Sequence, residues 1–119
     1  MQTVLIVDDE VLIRIDLAEQ VRSAGFAVIE ASTAQEALEI LKTGGSVALV
    51  ITDIRMPGDM DGLELAASIR LETPDIKVMI ISGHVPTLKL ATIADAALAK
   101  PVSPQRLLEE VTRLLGRAT

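Results

Sequence analysis

The sequence has no cysteine, no tryptophan and no tyrosine, and a single phenylalanine and a single histidine. Without cysteine there is no disulfide framework, no thiolate metal site and no Cys nucleophile. One histidine, His84, cannot supply a His-rich zinc centre. Phe26, the sole aromatic, offers no platform for stacked bases. Positive charge is scarce as well: 11 Lys and Arg face 17 Asp and Glu, a net charge of -6. An acidic domain repels phosphate backbones, so direct nucleic-acid binding is not expected. No apolar run approaches the length needed to cross a bilayer. The start, Met1-Gln2-Thr3, lacks the basic segment of a signal peptide. These absences predict a cytoplasmic protein with no membrane association.

What remains is a chain of 119 residues, half of them hydrophobic. That is enough for one domain with a real core, spanning residues 1–119. There is no internal repeat, low-complexity stretch or linker. Short apolar runs alternate with segments of helical period. The runs are Val4–Val7, Phe26–Ile29, Val47–Ile51, Val78–Ile81 and a weaker Ala96–Ala99. Between them Ile13, Leu17, Val21 and Ala24 recur at helical steps, as do Ala34, Leu38 and Leu41, and then Leu63, Ala66 and Ile69. Thr33 with Glu36 predicts a capping box. A short helix is expected from about Pro86. A last one is capped by Ser103 with Pro104 in its first turn, buries Leu107, Leu108, Val111, Leu114 and Leu115, and ends at Gly116.

Strict alternation of strands and helices predicts an α/β fold with a parallel sheet covered on both faces. Near-continuous apolar strands agree with burial on both sides. The expected architecture is a doubly wound, five-stranded parallel sheet of flavodoxin-like order 2-1-3-4-5, flanked by five helices.

In such a sheet, ligands bind at the rim where the strands end. Strand one delivers Asp8, Asp9 and Glu10 to that rim. Strand three delivers Asp53, strand four Ser82, and strand five Lys100 followed by Pro101. Clustered carboxylates raise one another's pKa unless a cation sits among them. Oxygen-only ligands suit Mg²⁺, and a lysine supplies a compact positive charge for a further anion. Carboxylates, a hard cation and a lysine together point to phosphoryl transfer. A carboxylate can itself be the nucleophile, and Asp53 stands alone at the end of the central strand.

Five motifs, Val4-Leu-Ile-Val-Asp8-Asp9-Glu10, Asp53-Ile-Arg-Met56-Pro57, Asp61-Gly62, Ile81-Ser82-Gly83 and Lys100-Pro101, occur in order along nearly the whole chain. Together they resemble the receiver domain of two-component response regulators, in its stand-alone, chemotaxis-regulator-like form. The resemblance implies that Asp53 accepts a phosphoryl group from a histidine kinase or a histidine phosphotransfer protein. It implies Mg²⁺ held directly by Asp9 and Asp53, with Asp8 orienting a metal-bound water and the Arg55 backbone carbonyl as another ligand. Lys100 is then expected to contact the phosphoryl group, Ser82 to move toward it, and the Lys100–Pro101 peptide to be cis. Signalling would run through protein contact to a downstream partner, with a homodimer left open. The chemistry would be confined to the domain's own phosphorylation and dephosphorylation.

Three departures stand out. Ala97 occupies the place of the family's usual aromatic, three residues before the lysine. The stretch from Ser82 to Lys100 is about one helical turn short of the family's usual length. The loop from Met56 to Asp61 carries one extra residue, which a surface loop tolerates. Taken singly, the pieces have bland readings too. Asp8 and Asp9 alone would be an exposed turn, and Ser82 a loop hydroxyl. Glu10 reads as a helix-start acid favoured by the dipole. Arg55 and His84 read as solvated side chains, kept as minor candidates for modulating phosphate lifetime. The competing functions are a Mg²⁺-dependent aspartyl-phosphate hydrolase and a binding module independent of phosphorylation. Against the hydrolase, Arg55 stands where such enzymes carry a second Asp.

Overall fold

The computed structural model describes residues 1–43, 45–56, 58–83 and 93–117. Five strands are present: β1 (Thr3–Val7), β2 (Ala27–Ala31), β3 (Val47–Asp53), β4 (Lys77–Ser82) and β5 (Ala96–Ala99). They form one parallel sheet in the order β2-β1-β3-β4-β5. Four helices lie among the described residues: α1 (Val11–Ser23), α2 (Ala34–Lys42), α3 (Gly62–Glu72) and α4 (Pro104–Leu115). The helix expected from about Pro86 falls outside the described residues.

Strand pleating sorts the apolar residues into two cores, because successive side chains point to opposite faces. On one face Val4, Ile6, Leu49, Ile51, Met79, Ile81 and Leu98 pack with Leu17, Ala18 and Val21 of α1 and Leu107 and Val111 of α4. On the other, Leu5, Val7, Val50, Val78 and Ile80 pack with Ala34 and Ala37 of α2 and Leu65, Ala66 and Ile69 of α3. Both faces being dry explains why β1, β3 and β4 read as unbroken apolar runs.

Local chemistry sets the element ends. Ser103 Oγ accepts the Arg106 amide at 3.1 Å, with Pro104 in the first turn of α4. Gly116 ends α4 at φ 79°, a backbone conformation that suits glycine. Three expectations shift. At α2, Thr33 Oγ1 accepts the Glu36 amide at 3.0 Å, but the Glu36 carboxylate takes the Ser32 amide at 2.8 Å, not that of Thr33. The reciprocal box occurs at α3: Asp61 accepts from the Glu64 amide at 2.9 Å and donates its own amide to Glu64 at 3.2 Å. Phe26 is buried but precedes β2, which starts at Ala27. In α4 Leu107 and Val111 are fully buried, while Leu114 and Leu115 pack at the edge of the core. The stripe also buries Glu110, which is paired with Arg106 and Arg113 of the same helix.

Candidate functional site

All five strands run the same way, so their C-terminal ends share one rim. Asp53 is the last residue of β3 and Ser82 the last of β4. Asp8 directly follows β1, and Lys100 directly follows β5. Asp8, Asp53 and Ser82 are 2%, 9% and 5% exposed, which is deep for polar side chains. Asp9 and Glu10 are exposed at the mouth.

Lys100 Nζ lies 2.7 Å from Asp53 Oδ2, an ion pair made by residues 47 apart in sequence. The Lys100 amide donates to the Ser82 carbonyl at 2.7 Å, tying the ends of β4 and β5 together. The Lys100–Pro101 peptide is cis. Asp8 Oδ1 accepts the Glu10 amide at 2.9 Å, which folds the acidic turn back over the rim. The Arg55 amide points at Asp53 Oδ1 from 3.4 Å, and the Arg55 side chain is exposed. His84 lies outside the described residues.

Carboxylate oxygens of Asp8, Glu10 and Asp53 lie within 4.8 Å of one another. The turn therefore brings Glu10 to the buried acids, while Asp9 is not part of that group. Glu10 is the N-cap residue of α1 but makes no side-chain cap bond, so its carboxylate is free to face the rim. The sequence placed Glu10 at the rim with metal contact as the lesser of its two readings, and the carboxylate group now favours that lesser reading. Asp9 and Glu10 follow Asp8 in one acidic run, and the run itself does not say which of the two turns inward.

Burial pushes the Asp8 carboxyl above the ordinary aspartate range; the Glu10 amide and Lys100 oppose this, while Asp53 and Asp9 add to it. For Lys100, burial acts to lower the ammonium pKa, but the bond to Asp53 and the nearby acids outweigh it and raise it. Asp8, Glu10 and Asp53 set against Lys100 leave two negative charges unmatched at the rim. That donor set, all oxygen and with a net charge of about minus two once Lys100 is counted, fits a hard divalent cation such as Mg²⁺.

The backbone under Asp53 is tightly held. Gly62, the first residue of α3, donates its amide to the Ile54 carbonyl at 2.8 Å. A Cβ on Gly62 would lie 1.8 Å from the Asp53 carbonyl oxygen. This close approach accounts for the Asp61-Gly62 motif: the aspartate caps the helix, and the glycine lets the helix start rest on the end of β3.

Beside the acids, Lys100 and Pro101 line an apolar cleft of about 450 Å³ with Ile13, Leu17, Ile81 and Val102. On α1, Val11, Leu12 and Ile15 are 54%, 82% and 42% exposed. Ala97, where the resemblance expects an aromatic, is half-buried on β5 opposite Ile80.

Comparison with known proteins matches residues 4–112 to the family model of the response regulator receiver domain. The sensor kinase CckA of Brucella abortus is 38% identical over 97% of this chain, which spans 13% of that protein. The C4-dicarboxylate transport transcriptional regulatory protein DctD of Rhizobium meliloti is 35% identical over 93% of the chain, which spans 25% of that protein. Among solved structures, the response regulator TrrA of Thermotoga maritima, in complex with Mg²⁺-BeF, aligns with a TM-score of 0.88 and 35% identity. That alignment covers 97% of this chain and 100% of TrrA.

Proposed function

Because the chain belongs to the response regulator receiver domain family of two-component signalling, we propose that Asp53 is its phosphoacceptor and that Asp8, Glu10, Asp53 and Lys100 form the reacting centre. One observation carries this reading: an ammonium 2.7 Å from Asp53, beside a group of carboxylates closed to within 4.8 Å. In the reaction an Asp53 carboxylate oxygen attacks phosphorus, the P–N bond of a phosphohistidine breaks, and an acyl phosphate forms. Lys100 stands where it offsets charge on the transferring phosphoryl oxygens. Mg²⁺, when bound, supplies charge neutralisation and alignment of those oxygens. Asp8, Glu10 and Asp53 would hold it, with Asp9 and the Arg55 carbonyl as the further ligands that the family resemblance implies.

Ser82 is the responding hydroxyl in this reading. It is buried at the end of β4 and joined through its carbonyl to the Lys100 amide. Charge arriving on Asp53 is therefore felt at the junction of β4 and β5. Output runs through protein contact, which the three exposed apolar side chains of α1 favour over a small-molecule substrate. The donor is a histidine kinase or histidine phosphotransfer protein. The domain acts on no substrate beyond its own phosphate. No helix among the described residues is long and apolar enough to cross a membrane, which suits a cytoplasmic site of action.

The test is incubation with acetyl phosphate and Mg²⁺, followed by intact-mass spectrometry. One labile phosphate is expected, absent in Asp53→Asn. Fast hydrolysis of simple phosphomonoesters by the unphosphorylated chain would instead favour the hydrolase reading. Failure to incorporate phosphate at all would leave the domain a binding module.

A further inference from the structure

The turn Asp8-Asp9-Glu10 carries three adjacent like charges, which repel one another and tend to open it. Two contacts to β2 oppose that. The Asp8 amide donates to the Ala31 carbonyl at 3.1 Å. The second runs through Arg14, one turn into α1. Its Nη1 donates to the Asp8 carbonyl at 3.0 Å, and its Nε donates to Glu30 Oε1 at 3.2 Å. Its own amide also donates to the Glu10 carbonyl at 2.9 Å. That last bond is the ordinary first bond of α1 and needs no arginine; the Arg14 side chain holds the turn at its Asp8 end. That side chain is only 18% exposed. Glu30 and Ala31 are neighbours on β2, opposite Ile6 and Val7 in register. The other oxygen of Glu30 faces Arg22 at 3.4 Å, so the carboxylate is oriented from two sides.

A helix-to-strand ion pair alone would be a staple of little consequence. What sets Arg14 apart is its second bond, to the main chain of the residue whose carboxylate faces Asp53. From this geometry we infer that Arg14, oriented by Glu30, is a positioning residue: it fixes the acidic turn in the shape that receives a divalent cation. The inference rests on the phosphoacceptor reading of the rim. It makes a prediction of distinctive sign. A cation beside carboxylates weakens Mg²⁺ uptake by plain electrostatics, so removing it should tighten binding. If Arg14 instead holds the turn in shape, removing it loosens binding.

The experiment uses the full chain as wild type, Arg14→Gln, Arg14→Lys and Glu30→Gln. Mg²⁺ affinity is measured by calorimetric titration, and amide hydrogen exchange is followed without metal. Arg14→Gln is expected to bind Mg²⁺ about tenfold more weakly, the scale of one charge-assisted hydrogen bond. The Asp8 and Glu10 amides should exchange faster by a similar factor, with those of β3 and β4 unchanged. Arg14→Lys keeps the charge but lacks the fork that reaches two partners, so it should behave like Arg14→Gln. Glu30→Gln should shift both readouts the same way by a smaller factor. Unchanged or tighter Mg²⁺ binding in Arg14→Gln, with wild-type exchange in the turn, overturns the inference. Should Arg14→Gln lose protection throughout, the other two variants decide, and wild-type affinity in both overturns it. A wild-type chain that takes up no Mg²⁺ would sink the phosphoacceptor reading itself, and the exchange data would still report whether Arg14 clamps the turn.

Discussion

Replacing Gly62 by alanine sets two physical effects against each other. Gly62 opens α3, and helix propensity alone says that alanine there stabilises by up to about 1 kcal/mol. The structure says the reverse. The new Cβ would sit 1.8 Å from the Asp53 carbonyl oxygen, 2.7 Å from its carbon and 2.9 Å from Ile54 Cα, where ordinary contact begins at 3.4 Å. The obstructing atoms are backbone, so no side-chain rotation relieves the clash. Either the start of α3 or the end of β3 must move by roughly 1.5 Å, and overpacking of this kind costs about 1–3 kcal/mol or more. With an unfolding entropy of about 2.1 cal/mol/K per residue, a chain of 119 residues loses ~4 °C in Tm per kcal/mol. A drop of about 4–12 °C is therefore expected by thermal circular dichroism. If β3 yields, Asp53 moves from Lys100 and the acids, and phosphorylation by acetyl phosphate should slow by about 100-fold, as misplacements near 1 Å commonly do. Gly45→Ala is the control, because a Cβ there meets nothing within 4 Å. A Gly62→Ala protein with Tm at or above that of wild type and an unchanged phosphorylation rate would refute the reasoning.

Other expectations follow from the charges. Burial raises the Asp8 pKa, so Asp8 adds stability only where it is protonated, and that contribution is lost as pH rises through its folded value. Asp8→Asn should therefore raise the Tm of the metal-free protein at pH 7 by a few degrees while abolishing Mg²⁺ uptake; a lower Tm would contradict this. Asp95 differs in sign. Burial pushes its carboxyl up, but the Val78 amide and the Arg70 guanidinium, each at 2.8 Å, outweigh it and hold the pKa low. Its contribution is present above the ordinary carboxylate range and lost as pH falls through the lowered value. Asp95→Asn should cost about 1–2 kcal/mol at pH 7 by urea titration, with the gap to wild type closing below roughly pH 4. Finally, Glu10→Gln should weaken Mg²⁺ binding more than Asp9→Asn, because Glu10 joins the carboxylate group of Asp8 and Asp53. The opposite ranking in a calorimetric titration would mean that the turn rearranges around the ion.

Much of the fold was legible because it is written in local patterns. Apolar runs of strand length mark β1, β3 and β4, and stripes such as Leu17 and Val21, or Leu107 and Val111, mark the helices that cover them. Once the strands are parallel, their ends must share a rim, so Asp8, Asp53, Ser82 and Lys100 could be gathered before any coordinates were known. Element ends were less certain. Two helices start on a Thr/Asp-x-x-Glu pattern, and only Asp61–Glu64 closes into a reciprocal box. The pattern at Thr33 opens because Glu36 finds the Ser32 amide instead.

By itself, then, the sequence determined the strand and helix alternation, the set of polar residues at the strand ends, and the charge balance that calls for a cation. These depend on residue type and on spacing along the chain. Tertiary structure alone decided that Glu10 joins Asp8 and Asp53 while Asp9 does not, that Arg14 and Glu30 bind the turn to β2, and that Gly62 rests on the Asp53 backbone. Each is a contact of a few ångströms between different elements. Its existence depends on the rotation of a helix or the fold of a turn, and no periodicity along one chain records that.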